Sequence, residues 1–166
     1  MLILALLMFD GFIANAQDFE VPKNFNPKTK DDFAAFEKDV IACVNWLETT
    51  PPDQNIEKRK DAGAFLIQWI SGSPTVTISL DAQAVVKVTD KNPQLLVLFL
   101  GGWTRYALQN NYSKDIYKGY YEGLKSVVGV AKKSAGLKKD KDLDKVVAIY
   151  DKGELENWIK ENVKTK

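Results

Sequence analysis

The sequence predicts an all-α protein, a single bundle of five to seven helices, and three observations lead there. Apolar residues recur every three to four positions through most of the chain beyond Thr29. Proline, glycine and capping residues cut that pattern into segments of helix length. The one alternating stretch, TVTISL at residues 75–80, has no partner strand, and a lone strand makes no sheet. At 166 residues with 45% hydrophobic and 27% charged side chains, the chain can bury a sizeable core as one domain.

The opening MLILALLMFDGFIANAQ has an apolar run from Met1 to Phe9 and then Ala14-Asn15-Ala16, the small-x-small pattern that signal peptidase cuts. Residues 1–16 are therefore read as a signal peptide, and the mature protein as exported to the periplasm or beyond. Asp10 is the one charge this removes, which leaves 23 basic and 21 acidic groups, a net +2. So small a charge steers the protein toward neither nucleic acid nor lipid. Residues 17–28, with Pro22 and Asn26-Pro27, predict an extended lead-in pinned by Phe19 and Phe25, and residues 29–164 predict a single helical domain.

Thr29 and Asp32 form a capping-box pair ahead of Phe33, Phe36, Val40, Cys43 and Leu47, which predicts one helix to about Glu48, stopped by TTPP. Asp53 is expected to cap a second helix whose buried stripe is Ile56, Gly63, Ile67 and Ile70, broadened by Phe65, Leu66 and Trp69, with residues 57–61 solvated. Residues 75–80 predict an arm over the bundle, followed by a short helix through Val85 and Val88. Asn92 as cap and Pro93 in the first turn open the helix LLVLFLGGWTRYALQ, apolar all round in its first half and so the most buried element. Gly101 and Gly102 each cost about 1 kcal/mol against alanine in a helix, so the close approach of a crossing helix is expected there. Ser113 is expected to cap the next helix, buried through Ile116, Tyr117, Tyr120, Leu124, Val127 and Val128, with Gly136 as its left-handed end. Two short helices at 142–152 and 154–163, divided by Gly153, complete the bundle.

No histidine occurs anywhere, which removes Ser-His and Cys-His catalysis and the usual zinc, copper and iron sites. The lone Cys43 forms no internal disulfide and falls on an apolar helix face, where packing is its expected role. Asp140, Asp142, Asp144 and Asp151 match four positions of a calcium-binding loop, yet Lys145 replaces the glycine at its bend and Leu143, Val146, Val147 and Tyr150 have helical spacing. Neither a metal nor a cofactor is expected. The apolar run 95–100 is far short of the about twenty residues a membrane span needs. Lysines 132, 133, 138, 139, 141 and 145 are interleaved with aspartates, which argues for a solvated face and against a nucleic-acid partner.

Aromatic residues crowd the helices on either side of residue 112. Tyr and Trp beside an Arg are the residues of interface hot spots and amphipathic pocket walls, and Trp103, Arg105, Tyr117 and Tyr121 are the candidate binding residues. The segments KGYYEGL and LDKVVAIY resemble small secreted helical immunity proteins that neutralise type VI amidase effectors; the resemblance implies an inhibitor of a secreted enzyme, although such proteins carry a disulfide that this chain cannot form. The leading expectation is a non-enzymatic module that binds a protein partner in the cell envelope through these aromatics. The alternatives are a carrier of a small apolar ligand beside Gly101 and Gly102, and a hydrolase of envelope polymers that uses carboxylates alone. Such a hydrolase needs two acids about 5–10 Å apart across a cleft.

Overall fold

The computed structural model describes residues 19–164, so the signal-peptide reading of residues 1–16 lies outside the described residues. The fold is all-helical, without a strand among those residues. It runs α1 (Lys30–Ala35), α2 (Glu37–Thr49), α3 (Ile56–Gly72), a π-helical turn (Ala82–Val86) continued by α4 (Lys87–Thr89), α5 (Gln94–Gln109), α6 (Ile116–Ala131), α7 (Lys141–Asp151) and α8 (Leu155–Asn162). No helix among the described residues is long and apolar enough to cross a membrane.

Local chemistry explains where the boundaries depart from expectation. The capping box at Thr29 and Asp32 forms, but the first helix breaks at Phe36, which leaves helical geometry as its ring meets Phe25 edge-on at 5.0 Å. Left-handed Asn55, at φ 51°, opens α3 in place of Asp53. Asp115 caps α6 by accepting from Lys118 N–H, so Ser113 is not the cap. Asn92 is buried and does not cap α5; its amide donates to the Lys138 carbonyl at 3.0 Å and accepts from Lys138 N–H at 2.8 Å, fastening the start of α5 to the loop before α7. α6 stops at Ala131, short of Gly136, and the left-handed glycine is Gly153, which turns α7 into α8.

α5 lies at the centre, against α2, α3, α4 and α6. Its approach to α6 is closer than side chains on both surfaces would permit. A Cβ added to Gly102 would lie 2.6 Å from the Glu122 carbonyl oxygen, one at Gly123 would meet the Phe99 ring and carbonyl, and one at Gly119 would sit 2.1 Å from the Trp103 indole. On the opposite side Gly101 faces Val44 and Leu66. The space beside Gly101 and Gly102 is therefore filled by neighbouring helices, and the ligand pocket considered there does not exist.

The lead-in lies over α1 to α3, with Phe19 near Trp46 and Phe65 and Phe25 among Phe33, Phe36 and Phe65. The arm 75–80 is extended as expected: Val76 is buried, and Tyr120 Oη accepts from Asp81 N–H at 2.6 Å where the arm ends.

Two glycines of α6 have opposite expected responses to alanine. Gly119→Ala forces the Trp103 ring to move and is expected to cost about 3 kcal/mol as overpacking. Gly129 has no atom within 4 Å of an added Cβ, so Gly129→Ala is expected to gain about 0.5–1 kcal/mol through helix propensity. Calorimetric melting of both variants checks this; a gain in the first would mean that α5 and α6 do not pack as described.

Candidate functional site

The four residues expected to form a site do not converge. Trp103 is 2% exposed, enclosed by Gly119, Phe99 at 5.9 Å and Tyr120 at 5.0 Å, and presents nothing to a partner. Arg105 points away from them and ties α5 to α2: it forms a bidentate pair with Glu48, at 2.6 and 2.8 Å, and donates to Asn45 Oδ1. Glu48 also accepts from Ser126 Oγ, so one half-buried carboxylate joins α2, α5 and α6. Tyr117 and Tyr121 lie on the outer face of α6. Tyr117 is 38% exposed, although its spacing had placed it in the core, and the Lys118 ammonium stands 5.9 Å from the Tyr121 ring centre. The two glycines of KGYYEGL serve helix packing, facing Trp103 and Phe99.

The calcium-loop aspartates have helical roles. Asp140 Oδ1 caps α7 by accepting from Asp142 and Leu143 N–H, the helix runs through Asp142 and Asp144, and Asp151 pairs with Lys132. Glu122 and Glu156 line one small groove with Tyr121 and Tyr150. Each is paired with a lysine, Lys125 and Lys118 respectively, and the Lys118 contact holds the Glu156 carboxyl below its usual range. A general acid needs the opposite shift.

An apolar recess lies elsewhere, between α3, the first turns of α5 and the end of α2, with a volume of about 440 Å³. Leu47, Gly63, Ala64, Val97 and Leu98 form its apolar wall. Ile56, 64% exposed, and Ile67, 44% exposed, stand on its rim. The spacing argument had turned both isoleucines inward. The buried face of α3 is instead Ala62, Phe65, Leu66 and Trp69, with Gly63 at its edge, which leaves Ile56 and Ile67 as a second apolar flank. The signal was present in the sequence: α3 carries more apolar residues than one helix face can bury.

All the charge on this groove is positive. Lys60 is exposed on its edge, and Arg59, expected in solvent, is half-buried, donating to the Leu47 carbonyl at 3.0 Å and the Thr50 carbonyl at 2.6 Å. These carbonyls belong to the end of α2, where a cation is favoured by the helix dipole, while burial pulls the guanidinium below its ordinary pKa. Gln94 at the start of α5 is the remaining polar residue there.

Comparison of the chain with models of known protein families, with curated proteins and with solved structures finds no match.

Cys43, in the core beside Ala62, has its thiol pushed up to about 12 by burial, from 9.0. The folded protein is expected to resist thiol reagents at pH 8 and to react once unfolded. Above pH 9 the unfolded chain releases a proton that the folded protein keeps until about pH 12, so this group makes stability fall with rising pH across that window. Labelling kinetics with and without denaturant check the first part; rapid labelling of the folded protein would contradict the buried placement.

Proposed function

We propose that this protein is a non-enzymatic binding protein of the cell envelope that holds a small apolar ligand in the groove between α3 and α5. The observation that carries the reading is the 440 Å³ apolar recess flanked by the exposed Ile56 and Ile67. Recesses of about 300–1,000 Å³ suit small molecules, and apolar side chains left exposed on both sides of one are a feature of binding surfaces. The absence of histidine and the lysine-paired carboxylates support a role without catalysis.

A second reading, docking of a protein partner on the tyrosine face, is supported by Tyr112. This residue and Asn111 both take left-handed backbone in the α5–α6 turn, at φ 56° and 53°. Such geometry is costly for a bulky side chain, and Tyr112 in the turn and Tyr117 on α6 are each 38% exposed. It is weaker because Trp103 is withdrawn into the core, so the expected hot-spot group is incomplete.

A neutral apolar dye, N-phenyl-naphthylamine, tests the groove. The wild-type protein is expected to enhance its fluorescence, and the double variant Ile56→Asp/Ile67→Asp to lose at least about tenfold in affinity with little change in melting temperature, since both positions are exposed. Unchanged dye binding in that variant would remove the groove as the site. Native mass spectrometry of protein isolated gently from its own host separates the two readings: a small-molecule adduct supports the carrier, whereas a bound second protein supports the tyrosine face.

A further inference from the structure

The geometry points to an anionic single-chain amphiphile, of the medium-chain fatty-acid type, as the ligand of this groove, with its carboxylate at the Lys60 and Gln94 end and its chain directed toward Ile67. The inference rests on the groove being the binding site. Gly63 lies beside Val97 and Gly101 beside Leu66, so α3 and α5 run in the same direction where they form the groove. Lys60 and Gln94, each about one turn earlier, therefore face each other across it, nearer to Ile56 than to Ile67.

That end is cationic. Lys60 is exposed there, and Arg59 brings a second positive charge whose hydrogen bonds go to two neutral carbonyls. Among the described residues no carboxylate lines the recess, and α5 opens without an acidic residue in its first turn. From Lys60 to Ile67 the wall is apolar, passing Gly63 and Ala64 on α3 and Val97 on α5. Two turns of helix span about 10 Å, a length suited to a medium acyl chain. A neutral apolar ligand would make no use of the two cations, and a cationic amphiphile would be repelled by them. An anionic amphiphile satisfies both ends, since the chain leaves water while the carboxylate meets the positive end.

The test titrates dodecanoate, dodecanol and dodecyltrimethylammonium, below micelle-forming concentrations, into isotope-labelled protein followed by amide NMR. Dodecanoate is expected to shift the amides of Gly63, Ala64 and Val97 and to bind about fivefold or more tightly than the ammonium amphiphile. Lys60→Glu, at an exposed position and so tolerated by the fold, is expected to weaken dodecanoate at least about fivefold more than it weakens dodecanol. Equal binding of all three would overturn the preference for an anion while leaving the groove as a carrier site. No shift at the groove with any of them, or shifts confined to another face, would overturn both.

Discussion

The close approach of α5 and α6 is the constraint on which the rest of the structure depends. Gly102, Gly119 and Gly123 remove side chains from three points of that contact, and the Phe99 and Trp103 rings and the Glu122 carbonyl occupy the room. Missing side chains on α6 thus become sockets for aromatic groups on α5. The resulting Phe99, Trp103 and Tyr120 cluster is buried, and Tyr120 extends the effect by accepting from Asp81 N–H, which places the end of the arm and the π-helical turn that follows. On the outer side, Glu48 reads the spacing a second time: its carboxylate reaches Arg105 on α5 and Ser126 on α6 only when the two helices stand this close to α2.

The same constraint explains what could be read from the sequence and what could not. Helix existence was legible because periodicity and punctuation are local: Thr29 with Asp32, Pro74 after α3 and Gly153 between α7 and α8 act within a turn or two of their own position. The need for close packing at Gly101 and Gly102 was legible from helix propensity alone. The fate of Trp103 was not, because an aromatic ring next to an arginine looks the same in a sequence whether or not a glycine on another helix offers it a socket. The cap of α6 was read wrongly for a similar reason: the left-handed turn at Asn111 and Tyr112 is not visible in the sequence, and Asp115, not Ser113, accepts from Lys118 N–H.

The groove was missed for a related reason. A spacing argument finds one apolar face per helix and assigns it to the core, and α3 has two. One face, through Leu66 and Trp69, is used against the neighbouring helices; the other, through Ile56 and Ile67, meets only the first turns of α5, where Gly63 and Ala64 are too small to close the gap. Single exposed isoleucines are ordinary on protein surfaces. Two of them flanking a recess on one helix are different, because the recess keeps apolar wall in contact with water unless something enters.

Arg59 links this surface to the fold. Its hydrogen bonds to Leu47 and Thr50 satisfy carbonyls that the end of α2 leaves without helical partners, so the residue has a structural function whatever the groove does. The carbonyl dipoles at the end of α2 offset only part of the Arg59 charge, and the half-buried site shields it less from the groove than a fully solvated side chain would be. The way α2 ends therefore holds a cation beside an apolar recess. An uncharged residue such as glutamine in that place would serve the carbonyls as a neutral donor. The cation there, repeated by Lys60 one residue later on the same turn, places two positive groups on the lining of an otherwise apolar recess.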